Sequence, residues 1–152
     1  MSAISEICVD ASLVVKVAVS EPDSNKADAL FTQWANEGRE LIAPVFFEVE
    51  TDSILRQKVV LRKELSQEQA EHALAKLHSL PIQLISVAGQ RHRAWEIASR
   101  FDFPTVYDAT YLALAELRMC EFWTADRRLV AQVKDDLTFV RCLYDFAMPF
   151  TL

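Results

Sequence analysis

Glycine is nearly absent from this sequence, and its scarcity excludes two common kinds of nucleotide site. Only Gly38 and Gly89 occur among the 152 residues. A dinucleotide-binding turn of the G-x-G-x-x-G type and a phosphate-binding P-loop each need several closely spaced glycines. The chain therefore does not bind nucleotides by either of these routes.

Cysteine and histidine are also scarce, and neither occurs at the spacing of a metal site. The three cysteines, Cys8, Cys120 and Cys142, are far apart and odd in number. We expect them to be reduced, buried side chains and not a disulfide framework. The three histidines form no H-x-x-x-H pair, so a zinc site is not expected.

No hydrophobic run approaches the roughly 18 residues of a membrane span, although 51% of the residues are hydrophobic. The opening MSAISEICVD has no basic region, so we expect no signal peptide. These features predict a cytoplasmic protein without a membrane segment. The length fits a single domain over residues 1–152.

Positive charge is in the minority. The sequence has 16 Lys and Arg against 22 Asp and Glu, which gives a net charge of −6. A chain of this charge is not expected to hold a polyanion through its overall field. If the protein acts on nucleic acid, its acids must be offset locally.

Short β-rich runs alternate with helical patterns along the chain. Strands are predicted at residues 4–9, 40–44, 82–87, 121–125 and 137–143, with helices between them. This alternation predicts an α/β fold, a three-layer α/β/α sandwich with a central, mainly parallel sheet. In the helices, the apolar pattern predicts inward positions for Trp34 and Trp95, and in the helix after the second strand for Val45, Val49, Ile54, Leu55 and Val59.

The stretch TVYDATYLALAEL, residues 105–117, predicts a buried helix that nevertheless carries an acid, Asp108. One explanation is structural, because Thr105 as N-cap would place Asp108 at N3, in a start that resembles a capping box. An acid in the first turn also suits the helix dipole. The other explanation is that Asp108 belongs to a functional site, and we expect it to serve both purposes.

Four acids are predicted at one edge of the sheet. Asp10 and Asp126 end two strands, and Glu48 and Asp108 lie in the first turns of two helices. Each alone is explained by helix capping or by the helix dipole. Four together favour a site, because sites in parallel sheets lie at the carboxyl ends of the strands.

Closely packed carboxylates resist ionisation unless a cation lies among them. Carboxylate oxygens without nearby His or Cys suit Mg²⁺ or Mn²⁺. Such an ion lowers the pKa of a bound water and polarises a phosphoryl oxygen, which is the chemistry of phosphodiester hydrolysis. The positive charge of such an ion also offsets the negative charge of the acids where a substrate phosphate approaches.

Four segments of the sequence resemble the motifs of PIN domains, and more narrowly those of the VapC-like toxins of prokaryotic toxin–antitoxin pairs. They are VDAS (residues 9–12), APVFFEVE (43–50), YDATYLALAE (107–116) and TADRRL (124–129). The resemblance spans residues 7 to about 143. It implies an α/β/α metal-dependent endoribonuclease that is often a homodimer and is inhibited by a cognate antitoxin protein.

The resemblance also implies roles for individual residues. By position, Asp10, Glu48, Asp108 and Asp126 match the family's catalytic acids, and the three aspartates among them match its metal ligands. Ser12 and Thr124 match small hydroxyl residues, which we expect to orient carboxylates or waters.

Some residues depart from the family pattern or stay unassigned. Thr51 stands where the family usually has Asn. Asp52 lies one turn after Glu48 and is a further candidate for the site, whereas Glu116 is interpreted as a surface or rim acid. The basic residues 91–93 have two explanations, a solvated helix face or a group that steers RNA phosphate.

Two other classes of protein are consistent with acids at a sheet edge. One is a non-catalytic PIN-like module that binds metal or RNA, or that serves assembly. The other is a phosphoacceptor receiver domain, which the sequence disfavours. Such a domain needs an acidic pair after the first strand, but Asp10 follows Val9, and it needs a lysine after the last strand, which is missing.

Overall fold

The computed structural model describes residues 5–149 and contains a five-stranded sheet in which every strand pair is parallel. Residues 1–4 and 150–152 of the predicted domain lie outside this description. The strand order is β3–β2–β1–β4–β5, which confirms the predicted parallel sheet. The strands are β1 (Glu6–Val9), β2 (Glu40–Ala43), β3 (Ile82–Leu84), β4 (Glu121–Thr124) and β5 (Val140–Cys142).

Seven α-helices connect and cover these strands within the described residues. They are α1 (Ala11–Ala18), α2 (Ser24–Asn36), α3 (Phe47–Val60), α4 (Gln67–Ser79), α5 (Gln90–Arg100), α6 (Tyr107–Leu117) and α7 (Arg127–Val133). A short 3₁₀ turn, Leu143–Asp145, follows β5.

Two neighbouring aromatic residues of β4 show that helices cover both faces of the sheet. Phe122 and Trp123 are successive, so their side chains point to opposite faces. Trp123 meets Trp34 of α2, with ring centroids 5.6 Å apart, and Phe122 meets Tyr111 of α6 at 5.8 Å. The predicted three-layer α/β/α sandwich is therefore confirmed.

Within the described residues every strand is shorter than predicted, and β3 and β5 differ most from the prediction. β3 stops at Leu84, although the N–H of Ile85 still donates to the carbonyl of Ala43 at 2.8 Å. Before β5, the N–H of Leu137 donates to the carbonyl of Val133 at 2.8 Å, which extends the last turn of α7. Only residues 140–142 then pair with β4.

The sequence predicted the buried side of α2 correctly, but it did not do so for α5. Trp34 is 3% exposed, as predicted, whereas Trp95 is 67% exposed. The core side of α5 carries Ala94, Ile97 and Ala98, which leaves the indole of Trp95 on the outside. The prediction that Trp95 belongs to the core is therefore wrong.

The buried side of α3 also differs from the prediction. Val45, just before this helix, and Val49 are exposed, although the sequence predicted that both face inward. Leu55 is buried as predicted, but in the first turns the buried positions are Phe47 and Thr51. The start of the helix thus differs from the prediction, which changes which of its acids can face the sheet edge.

The remaining composition-based expectations concern cysteine and membrane spans. All three cysteines are free thiols, and Cys8 and Cys142 are buried while Cys120 is partly buried. Among the helices of residues 5–149, none is both long enough and apolar enough to cross a membrane.

Replacing Phe122 by Ala tests the central position of β4. The ring is fully buried between the sheet and α6, so its loss is expected to lower the free energy of unfolding by about 3–5 kcal/mol. Val60→Ala, at the exposed end of α3, serves as the control and is expected to change it by less than about 0.5 kcal/mol. Urea denaturation measures both, and equal midpoints would contradict this packing.

Candidate active site

Asp10 directly follows β1 and lies buried at the carboxyl end of the sheet. Its N–H donates to the carbonyl of Trp123 at 3.0 Å, which continues the pairing of β1 with β4. Its carboxylate oxygen Oδ2 accepts hydrogen bonds from the hydroxyls of Ser12 at 2.8 Å and Thr124 at 2.6 Å. Both hydroxyl residues that the sequence singled out therefore contact the same aspartate.

Asp126 is connected to Asp10 through Thr124. The N–H of Asp126 donates to Oγ1 of Thr124 at 3.0 Å. The carboxylate oxygen Oδ1 of Asp126 accepts from the N–H groups of Arg128 at 3.0 Å and Leu129 at 3.1 Å, which caps α7. The capping explanation thus holds for Asp126, and the same residue still lies beside the other acids.

Asp108 lies in the first turn of α6, but the predicted capping box is wrong. The N-cap is Val106, whose carbonyl accepts the first helical hydrogen bond, from the N–H of Thr110 at 2.9 Å. Thr105 precedes this residue and forms no side-chain cap. Because the helix begins one residue later than predicted, Asp108 occupies the second helical position and does not act as a cap partner.

The pKa values show that Asp10 and Asp108 lie close to other acids. Loss of hydration and the negative charges of Asp10, Asp126 and Glu50 raise the pKa of Asp108 to about 6, although its outer side is exposed to solvent. Burial also raises the pKa of Asp10, and the hydroxyl hydrogen bonds oppose that shift in part. Both carboxyls therefore resist ionisation in the absence of a cation.

The fourth member of this acidic cluster is Glu50 of α3. Its Oε1 accepts a hydrogen bond of 2.8 Å from the hydroxyl of Tyr111, a fully buried residue of α6. Burial raises the pKa of Glu50, and the charge of Asp10 raises it further, whereas the Tyr111 hydrogen bond lowers it. We call Asp10, Glu50, Asp108 and Asp126 the acidic cluster.

Glu48, which the sequence assigned to this position, lies elsewhere. It is exposed and lines a separate pocket with Asp52 and His78, whose Oδ1 and Nε2 atoms lie 3.2 Å apart. Residues two apart on a helix differ in direction by about 200°, so Glu48 and Glu50 face opposite sides of α3. The placement of Glu48 is therefore corrected to Glu50, and Asp52 does not join the cluster.

Two further charged residues, Glu116 and Arg93, form an ion pair with each other. Glu116 accepts hydrogen bonds from Nε of Arg93 at 2.7 Å and from its Nη2 at 3.1 Å. This bidentate pair links α5 to α6 and uses the charge of Arg93. Glu116 is therefore a partner of α5, and Arg93 is not a free cation for phosphate.

The chemistry of the acidic cluster fits a hydrated divalent cation. In residues 5–149, no three His, Cys, Asp or Glu side chains are arranged to enclose one ion. Mg²⁺, however, commonly binds through one or two carboxylates and keeps several of its waters. The mutual repulsion that raises the pKa of Asp108 is the repulsion that such a cation relieves.

The fold and the acidic cluster agree with a family match over most of the chain. The family model for the PIN domain matches residues 7–135. The chain therefore belongs to the PIN-domain family.

Within that family, the similar proteins are VapC ribonucleases. VapC ribonuclease Mb0985 of Mycobacterium bovis and ribonuclease VapC9 of Mycobacterium tuberculosis are each 34% identical to this chain over 111 residues. Each alignment covers 68% of this chain and 84% of the relative.

Solved structures with low sequence identity share the fold. PAE2754 from Pyrobaculum aerophilum has a TM-score of 0.65 at 20% identity, over 95% of this chain and 93% of its own. VapC20 of Mycobacterium tuberculosis, described as a sarcin–ricin loop cleaving toxin, has a TM-score of 0.60 at 20% identity, over 82% and 93%. A toxin–antitoxin complex from Klebsiella pneumoniae has a TM-score of 0.61 at 14% identity, over 92% and 99%.

Replacing Asp108 by Asn is expected to stabilise the metal-free protein above neutral pH. The folded carboxyl has a pKa of about 6 and the unfolded one lies near 3.8, so between these values only the folded state holds the proton. The free energy of unfolding therefore falls as pH rises through this window, and the Asn variant lacks that fall. At about pH 8 the gain is roughly 1 kcal/mol, a figure reduced for the exposure of Asp108.

Urea denaturation in EDTA at several pH values measures this effect. Asp28→Asn, an exposed position on α2 with no carboxylate cluster around it, is the matched control and should change stability by less than about 0.5 kcal/mol. A variant of Asp108 that is less stable than the parent at about pH 8 would contradict the repulsion within the acidic cluster.

Proposed function

We propose that this protein is an endoribonuclease that hydrolyses RNA phosphodiester bonds with Mg²⁺ or Mn²⁺ and that it is the toxin of a toxin–antitoxin pair. The observation that carries the proposal is the meeting of four acids from four segments at the carboxyl end of a PIN-domain sheet. The VapC ribonucleases among its relatives support the nuclease activity.

In this proposal Asp10, Asp108 and Asp126 hold the metal ion. When bound, the ion lowers the pKa of a water and polarises a phosphoryl oxygen of the substrate. Ser12 and Thr124 fix the carboxylate of Asp10 through its Oδ2. Capping by the amides of α7 fixes Asp126 in the same way.

Glu50 takes the role of the proton acceptor in this proposal, in place of Glu48. Its carboxylate is half-buried and held by the hydroxyl of Tyr111, and its pKa is raised towards the range in which a general base works. Burial strongly raises the pKa of Tyr111 itself, so this phenol stays protonated and keeps donating to Glu50. The pair therefore orients one carboxylate oxygen and leaves the other, Oε2, for a water.

The proposed partners are RNA and a protein antitoxin. One structural neighbour is a toxin–antitoxin complex and another is a toxin that cleaves the sarcin–ricin loop. By analogy, a cognate antitoxin would bind this chain and inhibit it. An RNA substrate agrees with the cytoplasmic location that the sequence predicts.

The alternative function is a non-catalytic PIN-like module that binds metal or RNA or serves assembly. A module of this kind would keep the fold and bind Mn²⁺ without cutting RNA. Cleavage assays separate it from the nuclease.

The nuclease is tested by incubating a mixed single-stranded RNA pool with Mg²⁺, Mn²⁺ or EDTA. We expect cleavage with either metal and none in EDTA. Asp108→Asn and Glu50→Gln should each lower the cleavage rate by at least about 100-fold, because each removes a charge that the reaction needs.

Glu48→Gln is the matched control for Glu50→Gln, because the two residues share a helix and undergo the same change. It is expected to retain the parent rate. A loss of activity in Glu48→Gln with none in Glu50→Gln would restore the assignment made from the sequence. Binding of Mn²⁺ without cleavage by the parent would support the non-catalytic module.

We also propose that the protein is a homodimer, joined through an exposed apolar groove. This groove has a volume of about 930 Å³ and lies between the starts of α3, α5 and α6. The exposed side chains of Val45, Trp95, Val106 and Tyr107 line it. Grouped apolar side chains of this kind mark interaction surfaces in soluble proteins.

Trp95→Glu tests the dimer interface. A carboxylate in the apolar groove would be desolvated on association, so the variant is expected to be monomeric at concentrations where the parent is dimeric. Leu61→Glu, at an exposed position outside the groove, should leave the dimer intact. Light scattering coupled to gel filtration measures the mass, and a dimeric Trp95→Glu variant would contradict this interface.

A further inference from the structure

A second groove, distinct from the apolar groove, begins at the acidic cluster and leads away from it between α1 and α3. Asp126 lines it, as does Ser12, whose hydroxyl donates to the carboxylate of Asp10. Lys16, Arg62 and Tyr144 line it as well. The groove has a volume of about 350 Å³, and we call it the basic groove.

Two lysines of the basic groove are neutralised by acids and build its wall. Lys58 of α3 is buried, and its ammonium donates to Glu21 at 2.7 Å and to Glu64 at 3.0 Å. Lys16 of α1 lies 3.4 Å from the same Glu21. This chain of charges ties α1 to α3 and fixes the width of the groove, but it offers no uncompensated cation.

Arg62 and Arg127 differ from these lysines because they have no carboxylate partner. No Asp or Glu of residues 5–149 lies within 4.0 Å of either guanidinium. Arg127 does not itself line the groove, but its Cζ lies 3.7 Å from the ring centroid of Tyr144, a residue that does. Of the other arginines in the described chain, Arg56, Arg91 and Arg128 also have no acid within 4.0 Å, and five are each paired with one: Arg39, Arg93, Arg100, Arg118 and Arg141.

Two such guanidinium groups beside an acidic cluster suit an anionic ligand. In a chain with a net charge of −6, they are cations left available for an incoming group. Guanidinium presents a planar set of donors that matches phosphate oxygens. The groove is small, with a volume that suits a segment of one strand.

We infer that the basic groove binds a single-stranded RNA segment next to the cleaved bond, with Arg62 and Arg127 contacting its phosphates. This inference rests on the proposed nuclease function. The RNA backbone then runs from the acidic cluster along α1 and α3. In this arrangement the acids hold the metal ion, and the two arginines bind the flanking phosphates and so position the RNA relative to that ion.

Fluorescence anisotropy of a short, labelled single-stranded RNA tests the inference. The full chain carries Asp10→Asn to prevent cleavage, and Arg62→Gln or Arg127→Gln is added. Each added change is expected to weaken binding roughly tenfold at low salt. The slope of log K against log salt concentration should become shallower by about 0.7 for each phosphate contact that is lost.

Lys134→Gln is the control, because Lys134 is exposed, has no acid within 4.0 Å among the described residues and lies at the far end of α7. It should bind RNA as the parent does. Arg127→Gln also loses a contact with Tyr144, which could destabilise the fold. Thermal melts of both arginine variants detect such a loss, and Arg62→Gln tests phosphate binding without changing that contact.

Each outcome decides the inference. Unchanged affinity and salt slope in both arginine variants, while the wild-type chain still cuts RNA, would overturn it and leave the proposed function intact. An equal loss in Lys134→Gln, or a loss found only in Arg91→Gln at the apolar groove, would also overturn it. A parent that neither binds nor cuts RNA would overturn the inference and the proposed function together.

Discussion

Repulsion among four carboxylates is the interaction on which the arrangement of this site depends. All strands of the sheet are parallel, so the segments that leave β1 and β4 must emerge at the same edge. Asp10 follows β1 directly, and Asp126 follows β4 after Ala125. The starts of α3 and α6 add Glu50 and Asp108, and the topology itself therefore brings the four negative charges together.

The fold offsets three of these charges with neutral donors and leaves the fourth without one. Two hydroxyls donate to Asp10, the amides of α7 donate to Asp126, and the phenol of Tyr111 donates to Glu50. No hydrogen bond lowers the pKa of Asp108, and burial together with the charges of the other three acids raises it to about 6. Asp108 is thus the position at which the remaining repulsion is concentrated, and a cation relieves it there most effectively.

Strand ends could be predicted from the sequence, whereas helix rotation could not. Asp10 and Asp126 end short β-rich runs, and a strand end fixes the position of the next residue within about one pleat. Glu48 and Glu50 lie on one helix, and the choice between them depends on a hydroxyl 61 residues away, that of Tyr111. The same limit explains the wrong prediction that Trp95 is buried. An apolar stripe on a helix does not show whether another element of the fold covers it.

The distribution of positive charge reconciles an acidic protein with a polyanionic substrate. A net charge of −6 repels RNA at long range, but salt screens that field within about 8–10 Å of the surface. Contacts between RNA and individual side chains at the site therefore matter more than the net charge of the protein. Half of the ten arginines of the described chain are paired with acids, whereas Arg62 and Arg127 have no acid within 4.0 Å. In the proposed nuclease, affinity for RNA would then depend on contacts between individual phosphates and these two guanidinium groups.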